Sequence, residues 1–221
     1  MSKQDVIDYI FETPLNTNPV ILNQKLDELV EESGGGGATE PYIEETYDSN
    51  GNLVNANLVG YTKVRSYAFY NCSNLALISL PDGITSISDN AFMSCTNLAL
   101  TSLPDGITNI GNYAFHNCSN LALTSLPSRI IRISDYAFNS CSNLALTSLP
   151  SGITYIGREA FRNCTGLTNI TFQGTPNTIN SSVFNQCINL TTINVPWSEG
   201  AVANAPWGAT KATINYDYTG E

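Results

Sequence analysis

The cysteines are the side chains of this protein that could take part in the largest range of reactions, because a thiol can form a disulfide, ligate a metal or attack a substrate. No pair has the CxxC spacing of a zinc half-site, and the chain has a single histidine. The spacing therefore predicts no metal site. Instead the cysteines recur at one constant interval along the chain, at Cys72, Cys95, Cys118, Cys141, Cys164 and Cys187.

The even spacing predicts that the cysteines form a ladder along a repeating coil. Stacked coils place equivalent Cα atoms about 5 Å apart, which is within disulfide range, so pairing stays open on distance alone. The first residues do not read as a secretory signal, because acidic residues interrupt their apolar stretch. We expect synthesis in the cytoplasm, where thiols stay reduced, and a ladder that is buried and structural.

The single histidine, His116, is the other candidate for chemistry. Its equivalents in other repeats are Tyr70, Met93, Asn139 and Arg162, and a position that accepts such different side chains is expected to be solvated. Without a buried histidine or a cysteine outside the ladder, nucleophilic and metal catalysis lack their components. The sequence predicts a protein that is not an enzyme and uses no cofactor.

The elements that position these residues follow from the same period. In one repeat the recurring apolar skeleton comprises Cys95, Leu98, Leu100, Leu103, Pro104, Ile107, Ile110, Ala114 and Phe115. A fixed period of roughly 20–29 residues is typical of a leucine-rich solenoid, whose coils bury their apolar faces by stacking. We predict an α/β, β-rich solenoid with short strands and short helical turns.

The solenoid is predicted to span residues 72–209 and to be capped at both ends. Residues 40–71 contain two candidate strands around Asn50-Gly51, a pair that tolerates the positive φ of a hairpin turn. Residues 210–221 alternate in polarity, as a strand covering the last coil would. Such atypical end repeats are expected because they shield the exposed core.

Residues 1–33 precede the solenoid as a predicted helical leader, joined to it by a Gly-rich linker at residues 34–39. Leu22, Leu26 and Leu29 follow one another at spacings of four and three, which is an apolar helical seam. Such a short helix is unstable alone. We expect it either to pack against the rest of the chain or to self-associate, so that the leader anchors the protein or makes it a homo-oligomer.

The net charge of -10 is concentrated before the repeats. Residues 1–48 carry eleven acidic residues against two lysines, whereas residues 72–186 carry five acidic residues and four arginines. A nearly neutral array lacks the basic footprint of nucleic-acid binding, and the acidic start disfavours an anionic membrane. No apolar run reaches the length of a membrane span, so membrane insertion is not predicted.

Differences between coils indicate where binding residues lie. Equivalent positions of successive coils lie side by side. The pattern changes there in the two neighbouring coils that contain residues 129–132 and 155–158. The departures bring arginine and tyrosine together, which are residue types enriched at binding hot spots. Ordinary drift of exposed positions is the alternative. The predicted group, named here the Arg–Tyr patch, comprises Arg129, Ile131, Arg132, Tyr155 and Arg158.

Two stretches carry a family resemblance, Ile156-Gly157 with Ala160-Phe161, and Cys164 with Leu167 and Ile170. They resemble the unit of BspA-type bacterial leucine-rich repeats, roughly C-x-x-L-x-x-I-x-I-P-x-x-V-x-x-I-G-x-x-A-F, and the resemblance extends over about residues 60–210. The coils from 95, 118 and 141 instead read Leu-Ala-Leu-Thr-Ser-Leu, which moves the middle apolar residue by one position. We expect a bulge or a change of face there.

The resemblance implies a role in surface adhesion or protein interaction, with a protein or a bacterial surface glycan as partner. Residues 1–19 and 195–208 are similar to prophage-encoded leucine-rich proteins associated with phage tails. We therefore expect a surface-recognition component of a phage tail that leaves the cell by lysis and contacts other tail proteins through its leader. The alternative is a host-made adhesion or protein-interaction module without a virion role.

Overall fold

The structure is a computed structural model that describes residues 41–220. Over this range the chain winds into successive coils of strands and turns that follow the period of the sequence, with twelve short strands and no helix. The predicted helical leader, its seam Leu22, Leu26 and Leu29, and the Gly-rich linker all lie outside the described residues. The described part is therefore a β-solenoid.

A β-hairpin stands at the start of the solenoid, formed by antiparallel strands β1 (Tyr42–Tyr47) and β2 (Leu53–Val59). Gly51 adopts a φ of 77°, as the predicted hairpin turn requires. Leu53, Ala56 and Leu58 are buried, because β2 lies against the first coil. The hairpin thereby covers apolar surface that no earlier coil could cover.

One side of the solenoid is a parallel sheet of six two-residue strands, one from each coil up to residue 179, and residues 187–209 add no strand to it. Equivalent residues pair in register, so that Ile87 pairs with Ile110 and Ile110 pairs with Ile133. The second residue of every strand is buried and the first faces outward, as in any half-buried strand. The strands are β3 (Lys63–Val64), β4 (Ser86–Ile87), β5 (Asn109–Ile110), β6 (Arg132–Ile133), β8 (Tyr155–Ile156) and β10 (Thr178–Ile179).

The opposite side of the solenoid carries strands only in its C-terminal half. Its parallel sheet comprises β7 (Ser148–Leu149), β9 (Asn169–Phe172), β11 (Thr192–Asn194) and β12 (Thr213–Asn215). Of the cap strand predicted within residues 210–221, the structure forms the shorter β12, paired with β11. The equivalent segments of the coils from 72, 95 and 118 are irregular.

The shifted apolar residue accompanies the missing strands in the coils from 95 and 118, whereas the coil from 141, with the same Leu-Ala-Leu-Thr-Ser-Leu, forms only the two-residue β7. In β9, Ile170 and Phe172 alternate with outward residues, which fits the two-residue period of a strand. In the coil from 95, Leu100 and Leu103 are buried with two exposed residues, Thr101 and Ser102, between them. A regular strand would turn one of those leucines outward, and no strand forms in this segment, which agrees with the expected bulge or change of face.

The segment before each cysteine is a run of tight turns, so the predicted short helical turns are wrong. Backbone N–H groups alternate in their partners: Ala68 donates within its own coil to Arg65, whereas Phe69 donates to Ala91 of the next coil. Tyr67 and Asn71 adopt φ values of 60°, which a helix excludes and the third residue of a type II turn requires. Consecutive coils therefore exchange hydrogen bonds where helical turns would have kept them internal.

Two ladders run along the interior of the solenoid. Phenylalanine rings of successive coils stack nearly parallel, with centroids 5.2 to 5.7 Å apart, from Phe69 to Phe184. Beside them, each buried thiol donates to the phenylalanine carbonyl of the preceding coil, as Cys118 Sγ does to Phe92 O at 2.9 Å. All six cysteines are free thiols, which supports the reduced ladder, although Cys72 in the first coil is only partly buried.

The C-terminal end replaces the ladder with two tryptophans. Trp207 is fully buried, and its carbonyl accepts the N–H of Phe184 at 2.8 Å. In earlier coils the residue before the phenylalanine, such as Ala114, provides this carbonyl, so the backbone here is offset by one residue. Trp197 and Trp207 pack around Phe172 with ring centroids 5.2 and 5.9 Å from its own. The indoles thereby fill the space that a further coil would occupy.

Candidate binding face

The Arg–Tyr patch has its centre where β6 and β8 run side by side. Arg132 and Tyr155 are the outward first residues of these strands and are direct partners in the parallel register. The guanidinium carbon of Arg132 lies 3.8 Å from the centroid of the Tyr155 ring, which is a cation–π stack. The stack orients the arginine without neutralising it, because the ring carries no charge.

Asp135 connects two residues of the patch, Tyr155 and Arg158. One of its carboxylate oxygens, Oδ1, accepts the Tyr155 hydroxyl at 3.3 Å and the backbone N–H of Arg158 at 2.9 Å. Gly157 allows this approach, since a Cβ there would lie 2.3 Å from the same oxygen and 2.6 Å from the Asp135 nitrogen. The absence of a side chain at Gly157 therefore lets the backbone at Arg158 pack against Asp135 of the preceding coil.

Arg158 lies over a second aromatic surface. Its guanidinium carbon is 5.8 Å from the Tyr136 ring centroid, and Tyr136 stacks on Tyr113 at 4.6 Å with the planes 5° apart. The Nε of Arg158 also lies 3.7 Å from Glu159, a pair that solvent screens because the arginine side chain is 61% exposed. Burial raises the pKa of Tyr113, so this tyrosine stays protonated well above neutral pH.

Arg129 and Ile131 complete the patch in the turn that precedes β6. Both are exposed, and Ile131 retains 49% of its accessible surface. The Ile131 backbone is held at both ends, because its N–H donates to Thr108 and its carbonyl accepts the N–H and the hydroxyl of Thr154. Among residues 41–220, Arg129 makes no ion pair. The structure thus joins Arg132, Tyr155 and Arg158 through contacts and places Arg129 and Ile131 beside them in the chain.

Sequence reasoning missed Asp135, Tyr136 and Tyr113. The tyrosines occupy equivalent positions of neighbouring coils, so the same alignment that selected Tyr155 could have found them. Asp135 aligns with Asp89, two coils earlier, and its role depends on Gly157 bringing the next coil within reach, as Gly111 does for Asp89. A further pair, Arg162 and Glu159 at 2.9 Å, was also missed and lies at the edge of the patch.

His116 is half-buried, so the expectation of a solvated histidine is wrong. Its ring meets Tyr113 edge-on, with centroids 5.7 Å apart, and its Nδ1 is enclosed without a hydrogen-bond partner among the described residues. Burial lowers the pKa of this imidazole, which is therefore neutral at pH 7.

The thiol ladder is chemically inert in this arrangement. Burial raises the pKa of Cys187 to about 12 and that of Cys141 well above its usual range, and the thiolate is the form that attacks or binds metals. Within residues 41–220 no group of three histidine, cysteine or acidic residues is placed to hold a metal ion. In the same range the structure holds no helix with the length and hydrophobicity that crossing a bilayer requires.

The repeat unit itself decides the family. The sequence model of the family described as BspA type leucine-rich repeat region matches residues 62–191, in six copies of its repeat. The chain belongs to the BspA-type leucine-rich repeat family. The match begins directly before β3 and ends directly before β11, so it contains the whole Arg–Tyr patch of this BspA-type protein.

Solved structures agree with that assignment. A leucine-rich repeat protein of T. pallidum is 26% identical, with a TM-score of 0.53 over 73% of this chain and 85% of its own. A leucine-rich repeat protein from Bacteroides ovatus is 23% identical, with a TM-score of 0.54 over 73% of this chain and 47% of its own. The second likeness shows the fold alone. No curated protein matches the chain.

Proposed function

We propose that this BspA-type protein is a non-catalytic binding module whose Arg–Tyr patch contacts a protein or a bacterial surface glycan. The stack of Arg132 on Tyr155 carries the proposal, because the arginine is held in place but keeps its charge. Arginine and tyrosine contribute disproportionately to binding energy at interfaces, and an ordered side chain loses less entropy on binding. The exposed Ile131 adds apolar contact area beside the two.

Neighbouring coils provide the internal comparison for this proposal. Ser86 and Asn109 occupy the position of Arg132 in β4 and β5, where the same backbone presents short uncharged side chains. The patch therefore differs from β4 and β5 in its side chains and not in its backbone. This is the pattern expected when a repetitive scaffold displays one binding site.

The proposal is tested by binding of the labelled full-length chain to immobilised bacterial surface proteins and to a bacterial glycan array. The Arg132→Ala/Tyr155→Ala double variant should bind about 30-fold more weakly, the loss expected when a hot spot is removed. The control is Ser86→Ala/Asn109→Ala, which changes the same positions two and one coils earlier and should bind as wild type does. Unchanged binding by a folded Arg132→Ala/Tyr155→Ala variant would refute the patch.

The biological setting of the module remains a prediction. Association with a phage tail is supported by the resemblance of residues 1–19 and 195–208 to tail-associated proteins, and a host adhesion or interaction module is the alternative. Mass spectrometry of purified particles after prophage induction distinguishes the two. Tryptic peptides of this chain in the particles support the tail role, whereas peptides confined to the washed cell surface support the host module.

Self-association through the leader is a separate prediction. If Leu22, Leu26 and Leu29 form the seam of a bundle, the full-length chain should have a multiple of the monomer mass by light scattering. Leu22→Ala, Leu26→Ala and Leu29→Ala together should return it to 23.9 kDa. A monomeric wild-type chain at micromolar concentration would contradict the prediction.

A further inference from the structure

Arg129 interrupts a column of glycines along the solenoid. Gly60, Gly83, Gly106 and Gly152 occupy the equivalent position of other coils. At Gly106 and Gly152 a Cβ would lie only 3.2 and 3.4 Å from a carbonyl of the preceding coil, which favours small residues in this column. A long, charged side chain is therefore exceptional here, and it adds to the positive charge of Arg132, which follows three residues later at the start of β6.

Ile131 interrupts a second column in the same turn. Its equivalents Thr62, Thr85, Thr108 and Thr154 are threonines, and two of them donate Oγ1 to a carbonyl of the preceding coil. The side chain of Ile131 has no hydroxyl to donate, and 49% of its surface is exposed to solvent. The turn before β6 thus presents an apolar side chain between two arginines. Neither arginine forms an ion pair within the described range.

The chain itself contains a segment of complementary chemistry. Residues 1–40 hold eight acidic residues and two lysines, and four of the acidic residues, Asp27, Glu28, Glu31 and Glu32, fall within six positions. Leu26, Leu29 and Val30 stand among them. This composition of several carboxylates with a few apolar side chains matches two guanidinium groups around an isoleucine. In contrast, residues 62–191 carry five acidic and six basic residues, so no other part of the array is comparably acidic.

The point where that segment joins the solenoid lies in the same column as Arg129. A Cβ on Gly60 would be 3.4 Å from the Cα of Pro41, so the first described residue packs on the glycine column three coils before Arg129. Three coil spacings amount to about 15 Å, given a strand separation of about 4.8 Å. Residues 33–40 can extend to about 26 Å at about 3.3 Å per residue, so residues 27–32 can reach the arginines.

We propose that residues 27–32 of this chain dock on Arg129 and Arg132, with Ile131 receiving their apolar side chains. Because the two surfaces belong to one molecule, their effective concentration is in the millimolar range and a weak interaction is sufficient. The docked segment would cover the patch assigned above to partner binding, so the proposal rests on the proposed function only for this consequence. A partner would then have to displace the segment, and salt would weaken the contact between the exposed charges.

Photo-crosslinking of the full-length chain tests the docking without any partner. Ile131→p-benzoylphenylalanine places the crosslinker between the two arginines, and Ile188→p-benzoylphenylalanine is the matched control, since Ile188 is also an exposed isoleucine, at 56%. We expect crosslinks from position 131 to residues 22–33 in a product of monomer mass, reduced at least fivefold in about 0.5 M NaCl. The control should give none.

Three results would overturn the proposal: no crosslink to residues 22–33 from position 131, the same crosslink from position 188, or a product of dimer mass only. The last result would assign the occupant to a second copy of the chain. A charge comparison adds a second criterion. Asp27→Asn/Glu28→Gln/Glu31→Gln/Glu32→Gln should lower the yield at least fivefold, whereas Asp5→Asn/Asp8→Asn/Glu12→Gln/Glu40→Gln, which removes as many charges elsewhere, should leave it within twofold.

The docking and the proposed function fail separately. If the crosslink is missing but Arg132→Ala/Tyr155→Ala still loses surface binding, the docking proposal falls and the binding role stands. If the crosslink forms but that variant binds surfaces as wild type does, the docking stands and the patch does not serve partner recognition. If both hold, Asp27→Asn/Glu28→Gln/Glu31→Gln/Glu32→Gln should bind the surface at least threefold more tightly than wild type.

Discussion

The two sides of the solenoid reach the same burial by different backbones. One side has an unbroken parallel sheet from β3 to β10, whereas the other has strands only from β7 onward. Ile110 on the first side and Leu100 on the second are nevertheless equally inaccessible to solvent. The difference shows that stacking of side chains between coils is common to the whole array, and that strand pairing on the second side is most extended in β9, where the apolar residues alternate.

The largest expected effect is on the interior that both sides share. Phe115 stacks between Phe92 and Phe138 and is fully buried. Phe115→Ala should lower the free energy of unfolding by about 3–5 kcal/mol, because it removes the ring and leaves a cavity. Urea unfolding followed by circular dichroism measures this loss. The exposed Ile78→Ala, at 69% accessibility, should change stability by no more than about 0.5 kcal/mol. Equal stability of the two variants would refute the stacked core.

The next prediction compares the two sides directly. Ile110→Ala, in a strand, and Leu100→Ala, in a segment without one, should each cost about 2–5 kcal/mol, because both side chains are fully buried. The same unfolding experiment gives both values. If strand pairing rather than burial stabilised the coil, the Leu100→Ala variant would lose much less than the Ile110→Ala variant.

Alkaline pH should lower the stability that the buried thiol ladder contributes to the fold. Burial raises the pKa of Cys141 and Cys164 above the ordinary thiol value of 9.0, so the unfolded state ionises first. Stability is therefore complete below about pH 9 and is lost as the pH rises toward the folded-state pKa, by about 1.4 kcal/mol per pH unit for each buried thiol. Urea midpoints between about pH 8 and pH 10.5 should fall accordingly, and Cys141→Ala should show a slope smaller by one proton. An identical slope in that variant would contradict the assignment.

The smallest effect concerns the coil from 118, which forms no strand on the side of the second sheet. Leu123→Thr/Thr124→Ile moves the middle apolar residue by one position, to where β9 has Ile170. Alternation is then restored, and the coil from 118 should extend the second sheet beyond β7 with a stability change within about 1.5 kcal/mol. Hydrogen exchange should slow at the Ser125 amide. Exchange as fast as in wild type would show that the polar pair is not what prevents the strand.

Much of the fold is predictable because the repeat encodes it directly. The constant spacing of the cysteines identifies the coil, and the recurring apolar positions identify the buried residues from Ile84 to Val183. The turn run was mistaken for a helix because its polar residues suit both structures. What decides between them is the positive φ at positions such as Asn90 and Ser94, which depends on hydrogen bonds to the next coil.

The candidate site is less predictable than the fold. Arg132 and Tyr155 could be paired from the sequence alone, because in-register stacking places residues one period apart side by side. The connecting role of Asp135 could not, since it depends on the space that Gly157 leaves. The one-residue offset at Trp207 was equally hidden, because an indole fills its volume differently from the phenylalanine it replaces.

The hydrogen bonds between coils also give biosynthesis a direction. The N–H of Phe92 donates to the carbonyl of Ala114, and the carbonyl of Phe92 accepts the Cys118 thiol. Both groups of Phe92 therefore stay without these partners until later residues have left the ribosome. Each emerging coil completes the one before it and presents the same incomplete backbone to the next. In a nascent chain the most recently formed coil therefore always has unpaired backbone groups, and this edge advances with translation until Trp207 accepts the Phe184 N–H.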